Sequence, residues 1–136
     1  MSRFKTVRSV LLGTAVAMLA GCQSDAPIAA RAEKYDYPWL MVGSQDLRAN
    51  TMVNDAVRTR DEAGLLYISV PIRNTSDLQL YVDYRVTFYD RNKMPLPQEY
   101  RKTLTIPARG MREATANSTS PKAESFQMEL TYPRVN

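Results

Sequence analysis

The stretch LQLYVDYRVTFYD, residues 78 to 90, decides the fold. Leu78, Leu80, Val82, Tyr84, Val86 and Phe88 alternate with Gln79, Tyr81, Asp83, Arg85, Thr87 and Tyr89. Successive side chains of a β-strand point to opposite faces, so this order makes one apolar face and one wet face. A helix would scatter the same residues around its circumference.

The preceding segment, LLYISVPIR at 65 to 73, keeps Leu66, Ile68, Val70 and Ile72 in the same phase. Between the two lies Asn74-Thr75-Ser76-Asp77, residues whose short polar side chains bond the local backbone and favour turns. The pair reads as antiparallel neighbours or as partners across two sheets. Pro71 removes an amide donor, which places that position at an open edge or a bulge.

Thinner strand patterns follow at Leu104 to Ile106, Arg112 to Ala116, and Phe126, Met128 and Leu130. Earlier, Trp39 to Val42 and a stretch near Met52 to Val57 supply one or two more. Asp61 to Gly64 reads as a hairpin turn. Six or seven strands joined by turn signals are the pattern of an all-β, antiparallel sandwich of about 100 residues.

Ahead of this domain the character changes. MSRFKTVR carries Arg3, Lys5 and Arg8 without an acid, and Val10 to Ala20 is an apolar run of 11 residues, too short to span a bilayer. That is a signal-peptide helix. Leu19-Ala20-Gly21-Cys22 resembles the lipobox of bacterial lipoprotein precursors, in which small residues precede the cysteine that is lipidated before cleavage. The other reading is an ordinary secretory signal, which favours an A-x-A-like end that is missing here.

By that resemblance Cys22, the only cysteine, heads the mature chain with a diacylglyceryl group on sulfur and an acyl chain on its amine. Each buried methylene contributes about 0.8 kcal/mol, so several chains make a stable membrane anchor. Gln23 stands where lipoproteins retained in the inner membrane of enterobacteria usually have aspartate, so the periplasmic face of the outer membrane is the expected location. The domain plan is then residues 1–21 as leader, 22–36 as lipidated tether and 37–136 as periplasmic domain. QSDAPIAARAEKYD, 23 to 36, has no apolar periodicity and suits a flexible tether; its alanines equally suit a short helix.

Removing the 21 residues ahead of Cys22 from a chain of 136 leaves 115, enough for one domain. Three basic residues leave with the leader, so 15 basic stand against 14 acidic residues and the net charge falls from +4 to +1. With no block of five like charges, nucleic acid is not an expected partner.

RNTSD at 73 to 77, YVDYRVTFYD at 81 to 90, LTIPARG at 104 to 110 and ATANSTSPKAESFQMEL at 114 to 130 together resemble the YcfL-like family of bacterial lipoproteins, a domain of unknown function. The resemblance implies an immunoglobulin-like β-sandwich in the periplasm and supplies no reaction and no catalytic residue. Its members are often encoded beside a lipoprotein that activates penicillin-binding proteins, which implies an envelope or cell-wall setting and such a protein as partner. Where the family commonly has glycine after Asp90, this chain reads Arg91-Asn92-Lys93, and Asn92 is expected to take the left-handed backbone.

The chain has no histidine. The usual general base, His-paired nucleophiles and nearly all transition-metal sites are therefore missing. No S-x-x-K occurs after Cys22, and Gly43, Gly64 and Gly110 are too far apart to cradle a phosphate. Met41, Met52, Met94, Met111 and Met128 share no spacing that suits copper. The expectation is a non-catalytic protein with no cofactor and no metal site.

What remains is surface. Tyr81, Arg85 and Tyr89 line up on the wet face of the long strand with Asp83 and Thr87, and Tyr and Arg are enriched in binding hot spots. The plainer reading is that Tyr and Thr form strands well and Asp83 neutralises Arg85. Trp39 is expected to plug one end of the core. Two functions follow: an anchored protein-interaction module in envelope assembly, or a carrier holding a lipid or wall fragment in an apolar cavity between the sheets, which a solid core would remove.

Overall fold

The computed structural model describes residues 36–135. Cys22, the leader and nearly all of the tether lie outside the described residues. Eight strands and one short helix form two packed sheets: β1 (Leu40–Val42), α1 (Gln45–Asn50), β2 (Thr51–Val53), β3 (Val57–Arg60), β4 (Leu66–Asn74), β5 (Leu80–Tyr89), β6 (Pro95–Ile106), β7 (Met111–Asn117) and β8 (Ser125–Thr131). The all-β sandwich expected from the alternation is present, with eight strands where six or seven were counted.

The first sheet runs β1-β8-β5-β6, and β1 pairs parallel to β8. That one pair departs from the wholly antiparallel expectation. In the second sheet β4 is central, with β7 along one side and β2 and β3 sharing the other. The segments containing 66–72 and 80–88 are therefore partners across two sheets rather than neighbours in one.

β5 follows the predicted phase: Val82, Tyr84, Val86 and Phe88 are buried while Tyr81 and Arg85 are exposed. Leu78 is the exception. It is 76% exposed and precedes the strand, because the turn holds it: the Asn74 amide nitrogen donates to the Leu78 carbonyl at 2.7 Å.

Asn74 itself is fully buried. Its amide nitrogen also reaches the carbonyls of Ile106 (3.3 Å) and Pro107 (3.2 Å), and its oxygen accepts from the Ser76 N–H and hydroxyl at 2.9 and 2.7 Å. One side chain thus ties the end of β4 to the end of β6 in the other sheet. Tyr84 makes a second cross-link, its hydroxyl donating to the Thr115 carbonyl of β7 at 2.8 Å. Burial pushes its phenol up to about 12.

Pro71 sits where the ladder bulges, as expected: residues 54 to 56 between β2 and β3 oppose only Pro71 and Val70, one residue more than the register needs. Its carbonyl accepts from the Asn54 N–H at 3.0 Å, so the side on which its own N–H is missing faces the gap between β2 and β3. A strand residue's N–H and C=O point the same way, and here no partner N–H or C=O of a strand is lost. After Asp90 the left-handed residue is Lys93 (φ 60°), not Asn92; the Asp90 carboxylate accepts from the Asn92 and Met94 N–H groups and closes the turn. The hairpin at Asp61–Gly64 forms as read, with Gly64 at φ +77°.

Candidate functional site

The outer face of the first sheet collects the wet positions of three strands. Register places Arg85 between Glu129 of β8 and Arg101 of β6, Asp83 between Thr131 and Thr103, and Thr87 between Gln127 and Glu99. Tyr81 lies opposite Thr105. Cross-strand register therefore sets these side chains in a grid of three rows.

Arg85 donates to the Glu129 carboxylate and lies 3.7 Å from Glu99. Directly opposed guanidinium groups repel, and Glu99 offsets the Arg85 and Arg101 pair by also accepting from Arg101 at 3.2 Å. Asp83 does not neutralise Arg85 as the plainer sequence reading had it. It accepts instead from the Thr103 hydroxyl at 2.6 Å. Tyr89 donates to the Gln127 side-chain oxygen at 3.2 Å, and Tyr81, half exposed, accepts from Gln79 at 2.5 Å.

At the end of this face where β5 begins and β8 ends, a depression of about 460 Å³ opens outward. Asp83, Arg85, Arg101, Glu129, Tyr132 and Arg134 line it. The Tyr132 hydroxyl donates to Asp46 of α1 at 2.5 Å, and burial together with that carboxylate raises its phenol above the ordinary value. The sequence reading missed this depression, since Tyr132 and Arg134 follow the last strand and carry no periodic signal.

Of the sequence candidates, Tyr81, Arg85 and Tyr89 share the face as expected from strand spacing, and Arg85 alone lines the depression. Trp39 is 9% exposed, stacked on Tyr37 with ring centroids 5.0 Å apart and packed against Phe126 at 5.1 Å; the Arg58 guanidinium sits over both rings, 6.0 and 5.2 Å from their centroids. It closes one end of the core. Asp61 and Glu62 lie in the hairpin turn after β3. Among the described residues no three His, Cys, Asp or Glu side chains come together as a metal site, and no helix is long and apolar enough to cross a membrane.

Fold and face define a small all-β sandwich whose outer sheet surface is a grid of tyrosines and paired charges. The chain belongs to the DUF1425 family, described as a protein of unknown function, whose family model matches residues 39–132. A DUF1425 family member from Shewanella sp. pv-4 has a similar structure, with 22% identity and a TM-score of 0.56 over 63% of this chain and 81% of that one. Campylobacter jejuni cj0090 is 20% identical, with a TM-score of 0.59 over 71% of this chain and 100% of its own. At these identities the likeness is one of fold. No curated protein matches the chain.

Proposed function

We propose that this is a YcfL-like lipoprotein, non-catalytic, anchored through Cys22 to the periplasmic face of the outer membrane and acting as a protein-interaction module in envelope or cell-wall assembly. Its partner is an envelope protein, such as a lipoprotein that activates penicillin-binding proteins. The observation that carries this reading is the outer face of the first sheet. Tyr81, Arg85 and Tyr89 stand there on one rigid strand, in the residue types that dominate binding hot spots.

The alternative of a lipid or wall-fragment carrier is less well supported. The depression opens outward and is lined by charges, while Leu80, Val82, Val86 and Phe88 are packed between the sheets. A carrier of apolar cargo needs the reverse.

The test is a pull-down from detergent-solubilised envelopes with the full-length protein. A specific envelope protein should co-purify, and Tyr81→Ala or Arg85→Ala should weaken its binding by roughly 30-fold, a hot-spot loss of about 2 kcal/mol. Both side chains are well exposed, so the fold should survive either change. Recovery of no specific protein, or capture unchanged by both substitutions, would overturn the reading.

A further inference from the structure

β6 is an edge strand, and the direction of its free backbone groups follows from the ladder. The Leu130 carbonyl accepts from Gly43 at 2.8 Å and the Met128 N–H donates to Trp39 at 2.7 Å, so these two residues turn their backbone groups toward β1. Backbone groups alternate sides along a strand, which leaves Gln127, Glu129 and Thr131 bonded to Thr87, Arg85 and Asp83 of β5. Val82, Tyr84 and Val86 then serve β6, through Leu104, Lys102 and Tyr100. Glu99, Arg101, Thr103 and Thr105 are left with N–H and C=O directed off the sheet. Among the described residues no strand pairs with that side.

The open edge ends at Gln98. There the register with β5 shifts, Gln98 is tied to the Asn117 carbonyl at 3.2 Å and the Thr119 N–H at 2.7 Å, and Pro97 has no donor. An edge of this kind is a template for strand addition.

We propose that the strand added is a second copy of this chain, paired antiparallel along β6 about a two-fold axis at Tyr100. Charge selects that centre. With Tyr100 on the axis, Glu99 of each copy faces Arg101 of the other, as a residue pair whose backbones exchange hydrogen bonds. Centring on Arg101 opposes two guanidinium groups, and centring on Lys102 opposes two ammonium groups; directly opposed like charges destabilise a strand pair. The aromatic row agrees. Tyr100 stacks on Tyr84 with centroids 6.1 Å apart and 28° between planes, yet remains partly exposed at the rim, where its copy would continue the row. The shared ladder closes at Gln98, where the register shifts and Pro97 supplies no donor. The two first sheets become one, independently of any partner on the Tyr81 face.

Disulfide trapping of the full-length protein in its membrane tests this. Across the axis two Tyr100→Cys positions lie about 4.5 Å apart between Cα atoms, within disulfide reach, whereas Lys102→Cys mates lie about 14 Å apart. Tyr100→Cys should give a covalent dimer that the wild type and Lys102→Cys do not. Because Tyr100 also packs on Tyr84, sedimentation of the detergent-purified protein gives a second reading: Glu99→Arg or Arg101→Glu should each reduce the dimer at least tenfold, and the double swap should restore it. A monomeric wild type, trapping at Lys102→Cys, or a double swap that does not recover the dimer would overturn the proposal.

Discussion

The two central strands, β4 and β5, carry the same apolar alternation and meet different surroundings. β5 is flanked along nearly its whole length by β8 and β6, and its outer face holds Arg85 with its two glutamates. β4 has one full neighbour, β7, and on its other side two strands of three and four residues with a gap at Pro71. Its outer positions, Tyr67, Ser69, Pro71 and Arg73, make none of the ion pairs found on β5. Continuous pairing on both sides gives β5 a fixed register, and fixed register is what lets charges on three strands find one another. The interrupted side of β4 tolerates a proline for the same reason that it builds no grid.

Three substitutions probe that contrast. The largest effect is expected at the link between the two sheets. Asn74→Ala leaves the carbonyls of Leu78, Ile106 and Pro107 short of a buried donor, and should cost about 3 kcal/mol in a denaturant melt. A loss below about 1 kcal/mol would mean that the two sheets do not depend on this residue to stay joined.

Tyr84→Phe comes next, at about 1 kcal/mol for the lost bond to Thr115. It also has a pH signature. The folded phenol titrates at about 12 against 10 unfolded, so the protonated form is favoured by folding; its contribution is intact below pH 10 and drains away as pH rises toward 12. Melts on either side of pH 10 should show wild-type stability falling more steeply with alkali than that of Tyr84→Phe. Parallel curves would mean that folding does not raise this phenol.

The smallest effect is expected at Pro71→Ala. No strand partner waits for an N–H at that position, so only the entropy of a freer unfolded chain is lost, under about 1 kcal/mol by thermal melt. A larger loss would show that the gap beside β4 is tighter than the ladder implies.

The sequence made β5 and the inner face of β4 plain, because side chains buried on one face alternate strictly. It left β6 mostly hidden. Only Leu104 to Ile106 stood out of a strand beginning at Pro95, since an edge strand buries little and its prolines and charges dilute the apolar signal. β3 is exposed at all four positions and shows no alternation. The helix α1 buries only Leu47; its signal was Ser44, which accepts from the Leu47 N–H at 3.1 Å as a cap, followed by Asp46 in the first turn. At the site, strand spacing put Tyr81, Arg85 and Tyr89 on one face. The glutamates that hold Arg85 come from strands 14 and 44 residues away, and only cross-strand register brings them together.

The parallel pairing of β1 with β8 sets where the described chain enters the sandwich. Leu40 enters beside Met128 and both strands climb the same way, so the chain comes in at the Phe126 rim while the hollow under Tyr132 opens at the opposite pole. None of residues 36 to 42 lines that hollow, so the parallel start leaves its arginine-lined mouth clear of the entering chain.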